Sequence, residues 1–254
     1  ALSYADDLTL IAPSVQAMRL MLNVCEDFAR SHDVIFNSSK SISLIFNAPT
    51  PVLGDLFLNG EKIPRKLCAT HLGSTIGLDS DKLNKRKAMS DLYIQGNLIK
   101  SRFNFCKYDE KVRLFNSFCS SFYGSPLWRL SKLDDLTICW RKCIRYILNV
   151  NPMTHRVLVP HLICKPDLKF DLLSRFSKFF FSCINSSSKV LQYCIKNSLH
   201  GRSPVADNIR LLMSNLNIDE VTLYNHNAQV PKIPSAFSGE TPPLIKSTLN
   251  IQYT

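Results

Sequence analysis

The repeat of apolar residues changes at about residue 81, and a chain that changes period cannot be built one way throughout. Up to residue 80, short apolar runs separated by turn-forming pairs flank a single stretch of helical spacing. From Asp81 onward, apolar residues recur three and four positions apart, the spacing of amphipathic helices. Charge changes at the same place. Residues 1–80 hold 6 Lys+Arg against 8 Asp+Glu, and residues 81–254 hold 25 against 12. Their net charges are therefore −2 and +13, within a total of +11. An α+β chain is expected: a small antiparallel sheet with one packed helix, then an all-helical part. At 254 residues and 45% hydrophobic composition the chain can bury one substantial core or two small ones.

Within the first part, Asp6-Asp7 stands between apolar runs, in Ala1-Leu-Ser-Tyr-Ala-Asp-Asp-Leu-Thr-Leu-Ile-Ala12. Adjacent carboxylates repel, and Asp is disfavoured in strands. Both costs fall if the pair caps a tight hairpin and a divalent cation neutralises it. Side chains alternate faces along a strand, so one Asp would be the principal ligand and the other its flank. Two readings stand here: an acidic hairpin without chemistry, and one edge of a two-metal phosphoryl-transfer site.

Further along, Ser14 is placed to cap a helix on which Val15, Met18, Leu22, Cys25 and Ala29 form the apolar face, ending near His32-Asp33. Val34-Ile-Phe36, a bend Asn37-Ser-Ser-Lys40 and a strand-like run Ile42–Phe46 follow. Asn59-Gly60 between apolar pairs signals a hairpin. His71-Leu-Gly-Ser-Thr-Ile76 is expected to be one more strand.

Tyr4-Ala-Asp-Asp7 resembles the Tyr-x-Asp-Asp motif of reverse transcriptases. Asn37-Ser-Ser-Lys40 resembles the family's Asn-x-x-Lys element, and His71-Leu72-Gly73 its Tyr-Leu-Gly primer-grip strand. Tyr123-Gly-Ser-Pro-Leu-Trp128, Trp140-Arg-Lys-Cys-Ile-Arg145, Asn151-Pro-Met-Thr-His155 and Arg175-Phe-x-Lys-Phe-Phe180 extend the likeness to non-LTR (LINE-type) retrotransposon polymerases. Jockey-like and chicken-repeat-like elements are the nearest clades, over about residues 1 to 200. Two departures affect the nucleotide and primer sites: Asp33 replaces the usual Gly, and His71 the usual Tyr.

The resemblance implies that residues 1–80 are the later half of a polymerase palm, 81–216 a helical thumb and post-thumb region, and 217–254 an extended tail. It implies a C-terminal fragment, with the fingers and another metal-binding palm Asp upstream. Asp6 and Asp7 would hold Mg²⁺, with Tyr4 near the nascent base pair. Lys40 would approach the triphosphate or remain a solvated turn lysine. His71, Leu72 and Gly73 would position the primer. The implied partners are an RNA template, a DNA primer and deoxynucleoside triphosphates. Lys82, Lys85, Arg86, Arg141, Lys142 and Arg145 would meet the nucleic-acid backbone. A competing reading is a non-enzymatic mobile-element remnant that keeps only a basic nucleic-acid-binding surface.

Helices are expected from about Asp81 to Phe103, from about Tyr108 and Asp134, and over 168–184, 187–199 and 205–216. Another is expected to start near Thr154-His155. The aromatics Phe115, Phe118, Trp128, Trp140, Phe179, Phe180 and Phe181 could stack on bases, but at helical spacing they are expected in the core. Nine Cys without a Cys-x-x-Cys pair suggest free thiols in a reducing, intracellular compartment, nuclear or cytoplasmic. Cys139, Cys143, His155 and Cys164 are spaced poorly for a zinc knuckle. Phe179–Ile184 is far too short to span a bilayer.

Overall fold

The structure, a computed structural model, describes residues 1–47 and 54–217. The chain divides into two compact units, Ala1–Ser80 and Asp81–Thr254. The expected tail lies outside the described residues from 218 onward.

In the first unit, β1 (Leu2–Tyr4) pairs antiparallel with β2 (Asp7–Thr9). Helix α1 (Val15–Ser31) starts where Ser14 Oγ accepts the Ala17 N–H at 3.1 Å. This cap satisfies one of the helix's orphan donors. Two more hairpins follow, β3 (Phe57–Leu58) with β4 (Glu61–Lys62) and β5 (Cys68–His71) with β6 (Ser74–Gly77). The Asn59-Gly60 turn forms as expected, with φ 54° and 77°, left-handed values that this pair adopts readily.

Three separate two-stranded ladders stand where one small sheet was expected. The run Ile42–Phe46 has partners for a single bridge only, Ser43 to Arg65, so it forms no strand. The run from His71 to Ile76 is not one strand. It folds back at Leu72-Gly73, where φ is 46° and 79°. Gly77 is also fixed: at φ 110° a Cβ would lie 2.3 Å from the Leu67 carbonyl oxygen. The unit's core is small, with Leu22, Leu58 and Ile63 buried and Leu10, Met18, Phe36 and Leu56 against them.

The second unit is helical throughout its described residues, which makes the whole mixed, consistent with an α+β class. Its helices are α2 (Ser80–Arg102), α3 (Tyr108–Phe118), α4 (Asp134–Leu148), α5 (Leu168–Ile184), α6 (Lys189–Ser198) and α7 (Pro204–Leu216). No helix starts at Thr154-His155. That segment is a run of turns leading to a 3₁₀ turn at Pro160–Ile163. Trp140, Phe115, Phe176 and Phe180 are fully buried, joined by Trp128 and Phe181. Phe118 departs from the expectation: it is 59% exposed. The nine cysteines are free thiols, with Cys119, Cys139, Cys143 and Cys183 buried. Among the described residues no helix is long and apolar enough to cross a membrane.

A polar knot closes this unit. Asn208, fully buried, accepts from the Leu130 N–H at 2.9 Å and donates to the Trp128 carbonyl at 2.7 Å. Beside it, Asp207 pairs with the Arg129 guanidinium at 3.1 Å.

Candidate active site

The Tyr4-Asp7 segment is the end of the first hairpin. Tyr4 and Asp7 are directly opposite in the register, so Ala5 and Asp6 form a two-residue turn. Ala5 has φ 50°, which a residue with a Cβ adopts at a cost. The turn therefore holds Asp6 at the tip, with Asp7 opening β2. Residues 1–8 are all exposed, Tyr4 at 66% and Leu2 at 64%.

The hairpin is joined to the β5–β6 hairpin by Thr9 Oγ1 and His71 Nε2, 3.4 Å apart. This side-chain bond brings two of the expected site segments together. His71 is the last residue of β5, opposite Ser74, and Leu72-Gly73 is the turn beyond it. The His-Leu-Gly triplet is thus a turn tip rather than a strand interior. The sequence carries little sign of this, because Leu is a poor turn residue.

Lys40 closes a local turn. Asn37 Oδ1 accepts the Lys40 N–H at 3.0 Å and the Ser39 hydroxyl at 2.7 Å. That turn is tied to the β3–β4 hairpin, since Ser38 donates to Glu61 and Asn59 Nδ2 donates to the Phe36 carbonyl at 2.8 Å. Glu26, on α1, accepts the Asn59 N–H at 2.6 Å. The Lys40 side chain is exposed, and no ion pair among the described residues joins it to Asp6 or Asp7.

Asp6 and Asp7 offer the hard oxygen donors that Mg²⁺ prefers, but an octahedral ion needs more than an adjacent pair supplies. Among the described residues no three His, Cys, Asp or Glu side chains group as a metal site. The pair fits part of a coordination shell. An open cleft of about 820 Å³ beside the end of α1 is lined by Glu26, Arg30, Asp33 and the Asn59-Gly60 turn. None of the expected site residues lines it.

The six cations expected on nucleic acid separate into two groups. Lys82, Arg86 and Lys142 are exposed. Lys85 is not available. The residue is 8% exposed, and its ammonium spends its three protons on Asp81 Oδ2, the Arg129 carbonyl and the Lys132 carbonyl, at 2.8, 2.7 and 2.9 Å. Moving it to a phosphate would strand three part-buried acceptors, which costs more than a surface contact returns. Arg141 is paired with Asp167, and Arg145 donates to the Thr154 carbonyl at 2.8 Å. Both are partly buried and positioned by the fold. Sequence periodicity put Lys85 on the basic face, but two of its acceptors lie 44 and 47 residues away.

The chain matches no family model, no curated protein and no solved structure.

Proposed function

We propose that this chain is the later palm and thumb part of a non-LTR retrotransposon reverse transcriptase, an RNA-directed DNA polymerase. The observation that carries the reading is the order Tyr4-Ala-Asp-Asp7, helix, Asn37-x-x-Lys40, His71-Leu-Gly73. It is supported by the hairpin that puts Asp6 at its tip and by the Thr9–His71 bond. In this reading Asp6 is the principal carboxylate and Asp7 its flank. Tyr4, across the ladder from Asp7, packs near the nascent base pair. Lys40 approaches the incoming triphosphate, and the His71-Leu72-Gly73 turn positions the primer. Divalent ions held at the carboxylates supply the charge that phosphoryl transfer needs.

A second reading is a non-enzymatic remnant whose remaining capacity is nucleic-acid binding. The +13 charge of residues 81–254 favours it.

Nucleotide incorporation with Mg²⁺ on a primed RNA tests the first reading. The polypeptide that joins this chain to an upstream palm and fingers is expected to extend the primer. Asp6→Ala is expected to reduce the rate by about 10²–10³-fold, the effect of losing one electrostatic stabiliser at a reacting centre. Lys40→Ala only slows it. These 254 residues alone are expected to be inactive, having too few ligands. Full activity after loss of Asp6 would remove the site assignment, and robust synthesis by the bare chain would remove the ligand argument.

A further inference from the structure

Helices α2 and α4 run side by side in the same direction. Going up both, the Cys139 thiol meets the Met89 carbonyl and the Cys143 thiol meets the Leu92 carbonyl, at 3.9 and 3.5 Å. Next, Gly96 faces Cys143 and Ile147, and Lys100 donates to Asn149. A Cβ at Gly96 would lie 2.6 Å from the Cys143 sulfur, so glycine is what lets the helices approach here.

The outer edge of this seam carries a line of side chains at one azimuth. Lys82, Arg86, Tyr93 and Lys100 are spaced 4, 7 and 7 residues apart. At 3.6 residues per turn Lys82 and Lys100 are five turns apart on the same face, about 27 Å along the axis. From α4, Lys142 and Tyr146 adjoin them. Tyr93 and Tyr146 are each 50% exposed, so neither is a core residue. The Lys100 ammonium stands 5.4 Å from the centre of the Tyr146 ring, and the Tyr93 hydroxyl is tied to the Cys139 thiol. Both rings are therefore held in place at the surface.

Among the described residues these cations lack carboxylate partners. The described ion pairs of this unit occupy Asp81, Asp134, Asp167, Asp171 and Asp207, and none uses Lys82, Arg86, Lys100 or Lys142. Burial, and then the nearby charge of Lys111, hold the Lys100 pKa below the usual lysine range. Uncompensated cations alternating with half-exposed tyrosines complement one kind of polymer. Phosphates match the cations, and unpaired bases match the ring faces. A duplex hides its base faces and would leave the tyrosines idle.

We propose that the α2–α4 seam is a binding track for single-stranded nucleic acid, with phosphates at Lys82, Arg86, Lys100 and Lys142 and bases stacked on Tyr93 and Tyr146. This deepens the nucleic-acid part of the function above and rests on it only to that extent. Primer extension and strand binding are separate measurements, so either can fail alone.

The test is fluorescence anisotropy of the full chain with a labelled uridine oligomer of about twelve nucleotides and with the matching duplex. The single strand is expected to bind more tightly. Tyr93→Ala is expected to weaken it about tenfold, while Tyr93→Phe, which keeps the ring, binds as the parent does. Arg86→Gln with Lys142→Gln is expected to flatten the log affinity against log salt slope by about 1.4, at about 0.7 per single-strand phosphate. Circular dichroism checks that each variant folds. Equal binding by the Tyr93→Ala chain, an unchanged slope in the double variant, or equally tight binding to phosphatidylserine vesicles overturns the track.

Discussion

The two units hold themselves together by different means. Among the described residues the first has three side chains in its buried apolar cluster, and the second has twenty-nine. The first is a set of tight turns tied by polar contacts: Asn59 to Glu26 and Phe36, Ser38 to Glu61, Thr9 to His71. The second is helices around aromatic and aliphatic packing. A turn-built unit displays polar groups at its tips, which suits a site that must reach a ligand. A packed unit supplies the rigid rods from which a surface such as the α2–α4 seam can be drawn. The lesson is that stability and candidate chemistry are concentrated in different halves of the chain.

The largest expected effect tests the packed unit. Trp140 is 2% exposed, and its ring lies 6.4 Å from that of Phe115. Trp140→Ala is expected to cost about 3–5 kcal/mol, read from chemical denaturation followed by helical circular dichroism. A loss under about 1 kcal/mol would mean that the cluster is not what holds these helices.

A smaller effect separates the units. Leu58 is 4% exposed and sits in the first unit's small core. Leu58→Ala is expected to cost about 2 kcal/mol there, the low end for a leucine truncation, because so small a core can partly collapse. The helical transition should not move. If one transition carries both units and shifts as a whole, the comparison between them fails.

The smallest effect is a pH dependence in the second unit. Burial, with the nearby Cys164 and Asp109, pushes the Tyr108 pKa up to about 12, from 10.0. Its hydroxyl donates to the Leu162 carbonyl, a bond that needs the proton. Below pH 10 both folded and unfolded chains keep that proton, so the contribution is fully present. Between pH 10 and 12 the unfolded chain loses it first, and stability falls as pH rises. Tyr108→Phe should flatten this part of the stability curve while costing about 1 kcal/mol at neutral pH. An unchanged slope would assign the alkaline loss to other groups.

What could be foreseen from the sequence follows from how local each cause is. Helix α1 begins after Ser14, as expected, because an N-cap acts over three residues. Helix α5 occupies Leu168–Ile184, the expected span, with Asp167 Oδ1 accepting the Lys169 N–H at its start. The Asn59-Gly60 hairpin declares itself by its pair. Leu72 carries no such mark, and the Ile42–Phe46 run looks strand-like until its lack of partners is known. For the candidate site, the Asp6 turn was legible and the buried state of Lys85 was not. Exposed Tyr93 and Tyr146 were also missed. Tyr93 had a signal in the 18-residue recurrence of Lys82 and Lys100, which an apolar-stripe reading passes over.

The three bonds of the Lys85 ammonium also order events in time. Its two carbonyl acceptors, with the Arg129 N–H that Asp81 receives at 2.7 Å, lie more than forty residues along the chain. A cation cannot leave water before those acceptors arrive, and closing so long a loop precedes any return from it. The first turn of α2 is thus expected to dock late in folding and to detach early in unfolding. Amide exchange at Arg129 faster than at Ile144 in the centre of α4 would show this, and equal protection would refute it.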